Sequence, residues 1–234
     1  MDDSLTLFLQ IVPSLLAAVP VTLVLTALSA VIGNTLALPV AVASLSPHVY
    51  LRYPSVLYIF VMRGTPLLAQ TYLIYYGLGE FFPGTWVQKS FLWPYLRDGF
   101  WYAIFAFSLN TAGYTGEILR GAIMAVPKGE IEAARAFGFS PALIFWRVTL
   151  PRAIQICLPT MTGETILLLK ATSLASLITV WEVMGTARQI QKVTFRVYEP
   201  LIAAGILYIV MVFILTRLMM MVERRINRHR LAPA

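Results

Sequence analysis

Residues 127–151 read PKGEIEAARAFGFSPALIFWRVTLP. The first half, Glu130 to Phe137, is built from good helix formers, with acids in the first turn where the helix dipole favours negative charge. Gly138 stands where a helix C-terminus calls for a left-handed residue. Ser140-Pro141 then reads as an N-cap followed by proline at the first helical position. The spacing therefore predicts a helix, a tight glycine turn and a second helix. Ala133 and Ala134 leave one face small enough for close docking, and Ile131 and Phe137 supply apolar contact beside it. By itself such a stretch also reads as a plain amphipathic connector lying on a membrane surface.

The surroundings of this stretch are strongly apolar. Of 234 residues, 59% are hydrophobic and 12% charged, against roughly 45–50% and about 25% in a soluble chain. Mean hydropathy is +0.75. These values exclude a disordered chain and a disulfide scaffold, and they point to an all-α polytopic membrane protein. No charge occurs between Asp3 and Arg52, a stretch too long for one simple span of about 20 residues and interrupted by Pro13, Pro20 and Pro39. It reads as a short interfacial helix near Leu5–Leu16 followed by a first span over 18–45. Further spans are expected over 54–78, 100–119, 153–178 and 200–220, giving five in a single transmembrane domain. The charged loop 120–152 lies between the third and fourth. Residues Ser173–Lys192 form a mixed connector that is also readable as a segment dipping back into the bilayer. The connector between the second and third spans carries Glu80, Pro83, Gly84, Trp86, Lys89, Phe91, Trp93, Arg97 and Asp98, with rings suited to a membrane–water boundary.

Basic residues set the expected orientation. Arg52, five cations from Arg120 to Arg152 and the arginines between Arg224 and Arg230 fall on one side. Lys89, Arg97, Arg188, Lys192 and Arg196 fall on the other, among several acids. The positive-inside rule places the richer side in the cytoplasm, with the N-terminus outside and the C-terminus inside. The chain begins Met1-Asp2-Asp3, without a basic n-region, so a cleaved signal peptide is not expected. The net charge of +7 is read as this topology signal rather than as nucleic-acid binding.

Cys157, the single cysteine, reads as a buried packing residue. His48 and His229 have no metal-ligand spacing, so no metal site is expected. Arg63, Glu117, Glu164 and Lys170 lie within the expected spans. A charge at the bilayer centre costs about 2.5–3.5 kcal/mol on insertion scales, so these residues should face protein or a wet cavity. Glu117 and Arg120, three apart, read as a structural pair at a helix end. Glu164 sits in the polar island Thr160–Thr165. It suits the guanidinium or ammonium of a cationic solute, or a salt bridge to Lys170 or to a partner chain. Lys170 is six residues on and shares no helix face with it. Arg63 precedes Gly64-Thr65-Pro66, a helix break, and either braces that break or meets a solute carboxylate. Thr65, Thr172 and Ser173 are weaker path candidates, because hydroxyls in a span usually bond their own helix. Arg217 lies near a span end and can snorkel to headgroups.

Glu132-Ala133-Ala134, Gly138, Val148 and Leu150-Pro151 together resemble the EAA loop of ATP-binding cassette importer permeases, with Val148 standing where the pattern usually has Ile. The segments Arg63–Leu68, Tyr114–Ala122 and Lys170–Leu174 are similar to the polar amino-acid subfamily, and most of all to the M-type subunit of histidine/lysine/arginine/ornithine and opine importers. The resemblance implies a type I ABC importer permease fold in a bacterial inner membrane. It implies a homologous second permease as partner, two copies of a cytoplasmic ATPase, an extracytoplasmic substrate-binding protein and surrounding lipid. By position, Glu132, Ala133, Ala134 and Gly138 become the contacts to the ATPase. Relatives of the histidine/arginine type have an acid at the place of Glu164, which favours basic amino acids (arginine, ornithine, lysine, histidine), with opines such as octopine and nopaline as the alternative. The chain has no G-x-x-x-x-G-K-[ST], no H-E-x-x-H and no G-x-S-x-G. No enzymatic activity is expected on it, and ATP and Mg belong to the partner ATPases. An ion-coupled secondary transporter or a channel is the remaining class, disfavoured because no internal repeat is evident.

Overall fold

A computed structural model describes residues 2–81, 88–91 and 93–226. All regular structure among them is helical. The helices are α1 (Asp2–Ser44), α2 (Val49–Gly64), α3 (Leu67–Tyr72), α4 (Leu78–Phe81), α5 (Trp93–Leu96), α6 (Gly99–Met124), α7 (Lys128–Ala136), α8 (Pro141–Ile144), α9 (Leu150–Ala171), α10 (Val183–Thr194) and α11 (Tyr198–Ile226). Two π-helical turns, Leu73–Gly77 and Phe145–Thr149, join α3 to α4 and α8 to α9. A 3₁₀ segment, Thr172–Ile178, continues α9.

Several expected boundaries change. The interfacial helix expected near Leu5–Leu16 is not separate: α1 runs unbroken through Pro13, Pro20 and Pro39. The reason is tertiary. Ile11, Leu15 and Ala18 pack in one cluster with Val183, Ala187, Ala203 and Ala204, so the same face is held on both sides of Pro13. The expected span over 54–78 is not one helix. It breaks at Thr65 and Pro66, both in extended conformation, because proline lacks the N–H that would continue the ladder. The helix that carries the fourth expected span begins before 153, within the charged loop: Pro141–Ile178 forms one helical run of 38 residues.

Among the described residues, three helical runs are long and apolar enough to cross a membrane: Thr6–Ser44, Pro141–Ile178 and Tyr198–Ile226. The helix over the expected third span, α6, is not one of them despite its 26 residues. It lies in the middle of the bundle against α1, α2 and α9. Ala103, Ala106, Ala112, Gly113 and Ala122 are buried along it and let neighbouring backbones approach closely. A helix surrounded by helices needs no lipid-compatible face, so α6 also carries Ser108, Asn110, Thr115 and Glu117.

The core comprises three clusters. One is built on Leu25, Phe107, Leu168 and Ile178, a second is the α1–α10–α11 cluster described above, and a third contains Ala41, Leu119, Val126, Leu150 and Cys157. Cys157 is buried there as a packing residue. Large apolar side chains such as Phe60, Leu73 and Ile209 are outermost on the flanks, as a lipid or partner-facing surface requires. Within the connector, Pro83, Gly84 and Trp86 lie outside the described residues, as do Arg228, His229 and Arg230.

Candidate functional site

The loop that opens the sequence argument folds as its spacing predicts. Gly138 has φ +79°, its N–H donates to the Arg135 carbonyl at 3.0 Å, and the Phe139 N–H donates to the Ala134 carbonyl at 3.2 Å. Those two bonds form the Schellman arrangement that ends a helix on a left-handed residue. Ser140 caps the next helix by accepting from the Leu143 N–H at 3.4 Å, with Pro141 in its first turn. An ion pair of 3.0 Å between Glu130 and Arg152 ties the start of α7 to the start of α9. Glu132, Ala133 and Gly138 are exposed, and Phe137 is 83% exposed. Ala134 is not on that face. It is 7% exposed and turned toward the chain's own core. Ile131 likewise packs inward, beside Leu119 and Val126. The helical period explains both: a short amphipathic helix lying on the bundle gives one side to it.

The break in the α2–α3 region creates the second feature. Thr65, Pro66 and Leu67 line a cavity of about 250 Å³ together with Asn110, Thr111, Tyr114, Glu164, Leu167, Leu168 and Ala171. Carbonyls freed by the break are satisfied by side chains. Gln70 Nε2 donates to the Met62 carbonyl at 2.9 Å, to Thr65 Oγ1 at 2.7 Å and to the Thr65 carbonyl at 3.2 Å. Asn110 Nδ2 donates to Gln70 Oε1 at 3.0 Å and to the Met62 carbonyl at 3.1 Å. Thr65 Oγ1 also donates to the Val61 carbonyl at 2.7 Å. The broken helix is thus held open in a fixed shape, with its polar atoms paired.

Glu164 is half-buried at this cavity, and among the described residues it forms no hydrogen bond and no ion pair. Lys170 is not at this cavity: it lines a separate groove with Tyr208, Phe213 and Arg217, on the side of α11. An internal Glu164–Lys170 bridge is therefore not formed.

Arg63 lies across Tyr114 from the cavity. Its guanidinium stands 5.6 Å from the Tyr114 ring centre and 4.0 Å from the Glu117 carboxylate, and the Tyr114 hydroxyl donates to the Arg63 carbonyl at 3.4 Å. Arg120 grips Glu117 with two bonds, of 2.8 and 2.6 Å. The pair expected at the helix end is thus a triad that includes Arg63, lining a neighbouring cavity of about 500 Å³ with Ser44, Arg52 and Phe60. Thr172 and Ser173 do not reach either cavity. Their hydroxyls donate to the Leu169 and Lys170 carbonyls at 2.7 and 2.8 Å, satisfying their own helix. Sequence reasoning missed Asn110, Gln70 and Tyr114. The signal for Asn110 and Gln70 was available, since a side-chain amide within an apolar segment has to find partners.

Residues 33–228 match the family of binding-protein-dependent transport system inner membrane components. The chain belongs to that family. The octopine transport system permease protein OccM of Rhizobium meliloti is 45% identical over 210 residues, covering 90% of this chain and 84% of OccM. The histidine/lysine/arginine/ornithine transport system permease protein HisM of Escherichia coli K12 is 39% identical over 213 residues, covering 90% and 88%. Among solved structures, an amino acid ABC transporter crystallised with histidines superposes with a TM-score of 0.80 at 33% identity, over 93% of this chain and 96% of that one. The fold is that of a type I ABC importer permease. The loop 127–151 accordingly lies in a membrane permease component, not in a catalytic subunit.

Proposed function

We infer that this chain is the permease subunit of an ATP-driven importer of basic amino acids, and that it forms the translocation path with a homologous second permease. Of two ATP-binding cassette subunits, one docks at Glu132, Ala133, Phe137 and Gly138 on the cytoplasmic side and the other on the second permease, and an extracytoplasmic binding protein delivers the solute. The N-terminus is periplasmic and the C-terminus cytoplasmic. ATP and Mg act on the partner subunits.

One observation carries the substrate class: a half-buried carboxylate without a bonded partner, Glu164, at a small cavity that also presents Asn110, Thr65 and Tyr114. A carboxylate away from bulk water attracts a guanidinium or ammonium more strongly than it would in solution. Arg63, which lines the neighbouring cavity with Glu117 and Arg120, is a cation suited to the solute's carboxylate. The name of HisM supports this reading. The name of OccM favours a second one, an opine, which presents the same cationic end. A panel of arginine, ornithine, lysine, histidine, octopine, glutamine and glutamate, offered to the complex reconstituted in vesicles, tests both. Glu164→Gln is expected to lower uptake of cationic solutes about ten-fold while leaving ATP hydrolysis in place, the scale of losing one charge-assisted bond. Uptake of arginine unchanged in that variant refutes the assignment, and transport of octopine alone among the panel selects the second reading.

A further inference from the structure

A buried carboxylate with four hydrogen-bond donors lies outside both features above. Glu182 is fully buried. It caps α10 by accepting from the Met184 N–H at 2.9 Å and the Gly185 N–H at 2.7 Å. Its Oε2 also accepts the Tyr208 hydroxyl of α11 at 2.6 Å and the Thr22 hydroxyl of α1 at 3.5 Å. Thr22 Oγ1 in turn accepts from the Val183 N–H at 3.2 Å. The first three N–H groups of α10 are thereby paired, and one carboxylate joins the consecutive helices α10 and α11 to α1, 160 positions earlier in sequence. Four donors around an acceptor-only group, two of them at a helix N-terminus, hold a buried carboxylate without a counter-cation.

The neighbourhood is rigid for further reasons. A Cβ at Gly185 would overlap the Val180 carbonyl oxygen, so the turn between the 3₁₀ segment and α10 closes directly on the helix. Thr179 holds φ 65°, and the Val180 N–H donates back to the Ala175 carbonyl at 3.2 Å. This knot terminates the helical run Pro141–Ile178. The other end of the same run begins three residues after Gly138, at the exposed loop. Glu164 lies between, 14 residues from Ile178 and 23 from Pro141.

From this arrangement we propose that Glu182, with Tyr208 and Thr22, is the fixed pivot of the Pro141–Ile178 rod: a positioning residue that anchors its far end to α1 and α11, so that displacement of the loop end is transmitted to Glu164. At a constant rise per residue, a stiff rod pivoted at Ile178 moves Glu164 by about two-fifths of the movement at Pro141. Without the anchor the far end yields, and the loop moves without moving the cavity wall. The inference rests on the reading of the loop as the ATPase contact.

The test uses the complete complex in vesicles, with its partner permease, ATPases and binding protein, and arginine as the probe solute. Two quantities are read: arginine imported per ATP hydrolysed, and spin-label distances in nucleotide-free and ATP-trapped states. Tyr208→Phe removes one oxygen and its bond to the carboxylate. It is expected to lower arginine moved per ATP about ten-fold while ATP hydrolysis stays within about two-fold, the scale of one hydrogen bond to a charged acceptor. Glu182→Gln, which keeps an acceptor for the Gly185 N–H, is expected to fall between Tyr208→Phe and Glu182→Ala. Where Glu182→Ala does not assemble, Tyr208→Phe carries the test. In the native complex, labels at Trp181 and Tyr198 keep their separation when ATP is trapped, while labels at Leu45 and Phe139 change theirs. An unchanged import-to-hydrolysis ratio in Tyr208→Phe and Glu182→Gln overturns the pivot, as does a Trp181–Tyr198 distance that shifts as much as the loop pair. A role in folding alone lowers the yield of complex and leaves the ratio untouched. A native complex that moves no solute with ATP defeats the loop reading and the pivot with it. A native complex coupled to ATP whose variants keep the native ratio defeats only the pivot.

Discussion

Replacing Gly138 by alanine isolates the conformational requirement of the loop from every other effect. Its φ of +79° is left-handed, and an added Cβ meets nothing of this chain within 4 Å, so no clash inside the permease contributes. The cost is the backbone energy of a side-chain-bearing residue in that region, about 1–2 kcal/mol. At about 1.4 kcal/mol per factor of ten, the turn held by the Gly138 and Phe139 N–H groups opens roughly five- to thirty-fold more often. Gly129 provides the control. It lies in α7, its Cβ position is equally open, and its backbone is ordinary helix. Gly129→Ala should therefore stabilise α7 by roughly 0.5–1 kcal/mol. The assay is amide hydrogen exchange over residues 134–140 in the assembled complex, followed by ATP-coupled uptake. Gly138→Ala is expected to exchange faster by the factor above and to lose coupled uptake. Gly138→Asn, which tolerates the left-handed region better, should lie between alanine and the native residue. If Gly138→Ala exchanges and transports like Gly129→Ala, the argument that this turn must be left-handed to work as a lever is refuted.

Two more outcomes follow from the geometry of the break and of the loop. Asn110→Ala removes the donor to Gln70 Oε1 and one of the two donors to the Met62 carbonyl, leaving the buried Gln70 oxygen short of a partner at a cost of about 1–3 kcal/mol; thermal unfolding of the purified complex should shift downward, and an unshifted midpoint would show that the network does not hold the break. Phe137→Ser alters a ring that the chain itself leaves 83% exposed, so the permease should keep its stability within about 0.5 kcal/mol. Its retention of the ATPase on affinity purification should fall several-fold, and undiminished retention would remove Phe137 from the docking face.

The loop was almost wholly legible before any coordinates. Its turn chemistry is local: glycine after the last helical residue, then Ser-Pro, act within a few residues of chain and need no distant partner. What misled there was the face. Ala134 and Ile131 read as docking residues, and the bundle claims them instead, because which side of a short amphipathic helix is covered depends on what it lies against. The cavity was half legible. Glu164 stands out as a charge among apolar residues, and the break at Thr65-Pro66 is written in the proline. Asn110 and Gln70, which close the network, became visible only once α6 and α3 were side by side. Glu182 was less legible still. In sequence it is one acid in a mixed connector, with Thr22 160 positions earlier and Tyr208 26 positions later.

Composition, charge distribution and local turn signals were enough to determine an all-helical membrane protein with a charged helix–glycine turn–helix loop, because hydropathy and backbone preference act over short stretches of chain; the permease reading came from the resemblance of that loop to a known family. The tertiary structure alone decided that α1 passes unbroken through three prolines, that α6 with its Asn110 and Glu117 is central, that Lys170 and Glu164 part company, and that Glu182 joins three helices. Each of these depends on which surfaces meet across long separations in sequence, where burial and pairing override what any single segment would prefer by itself.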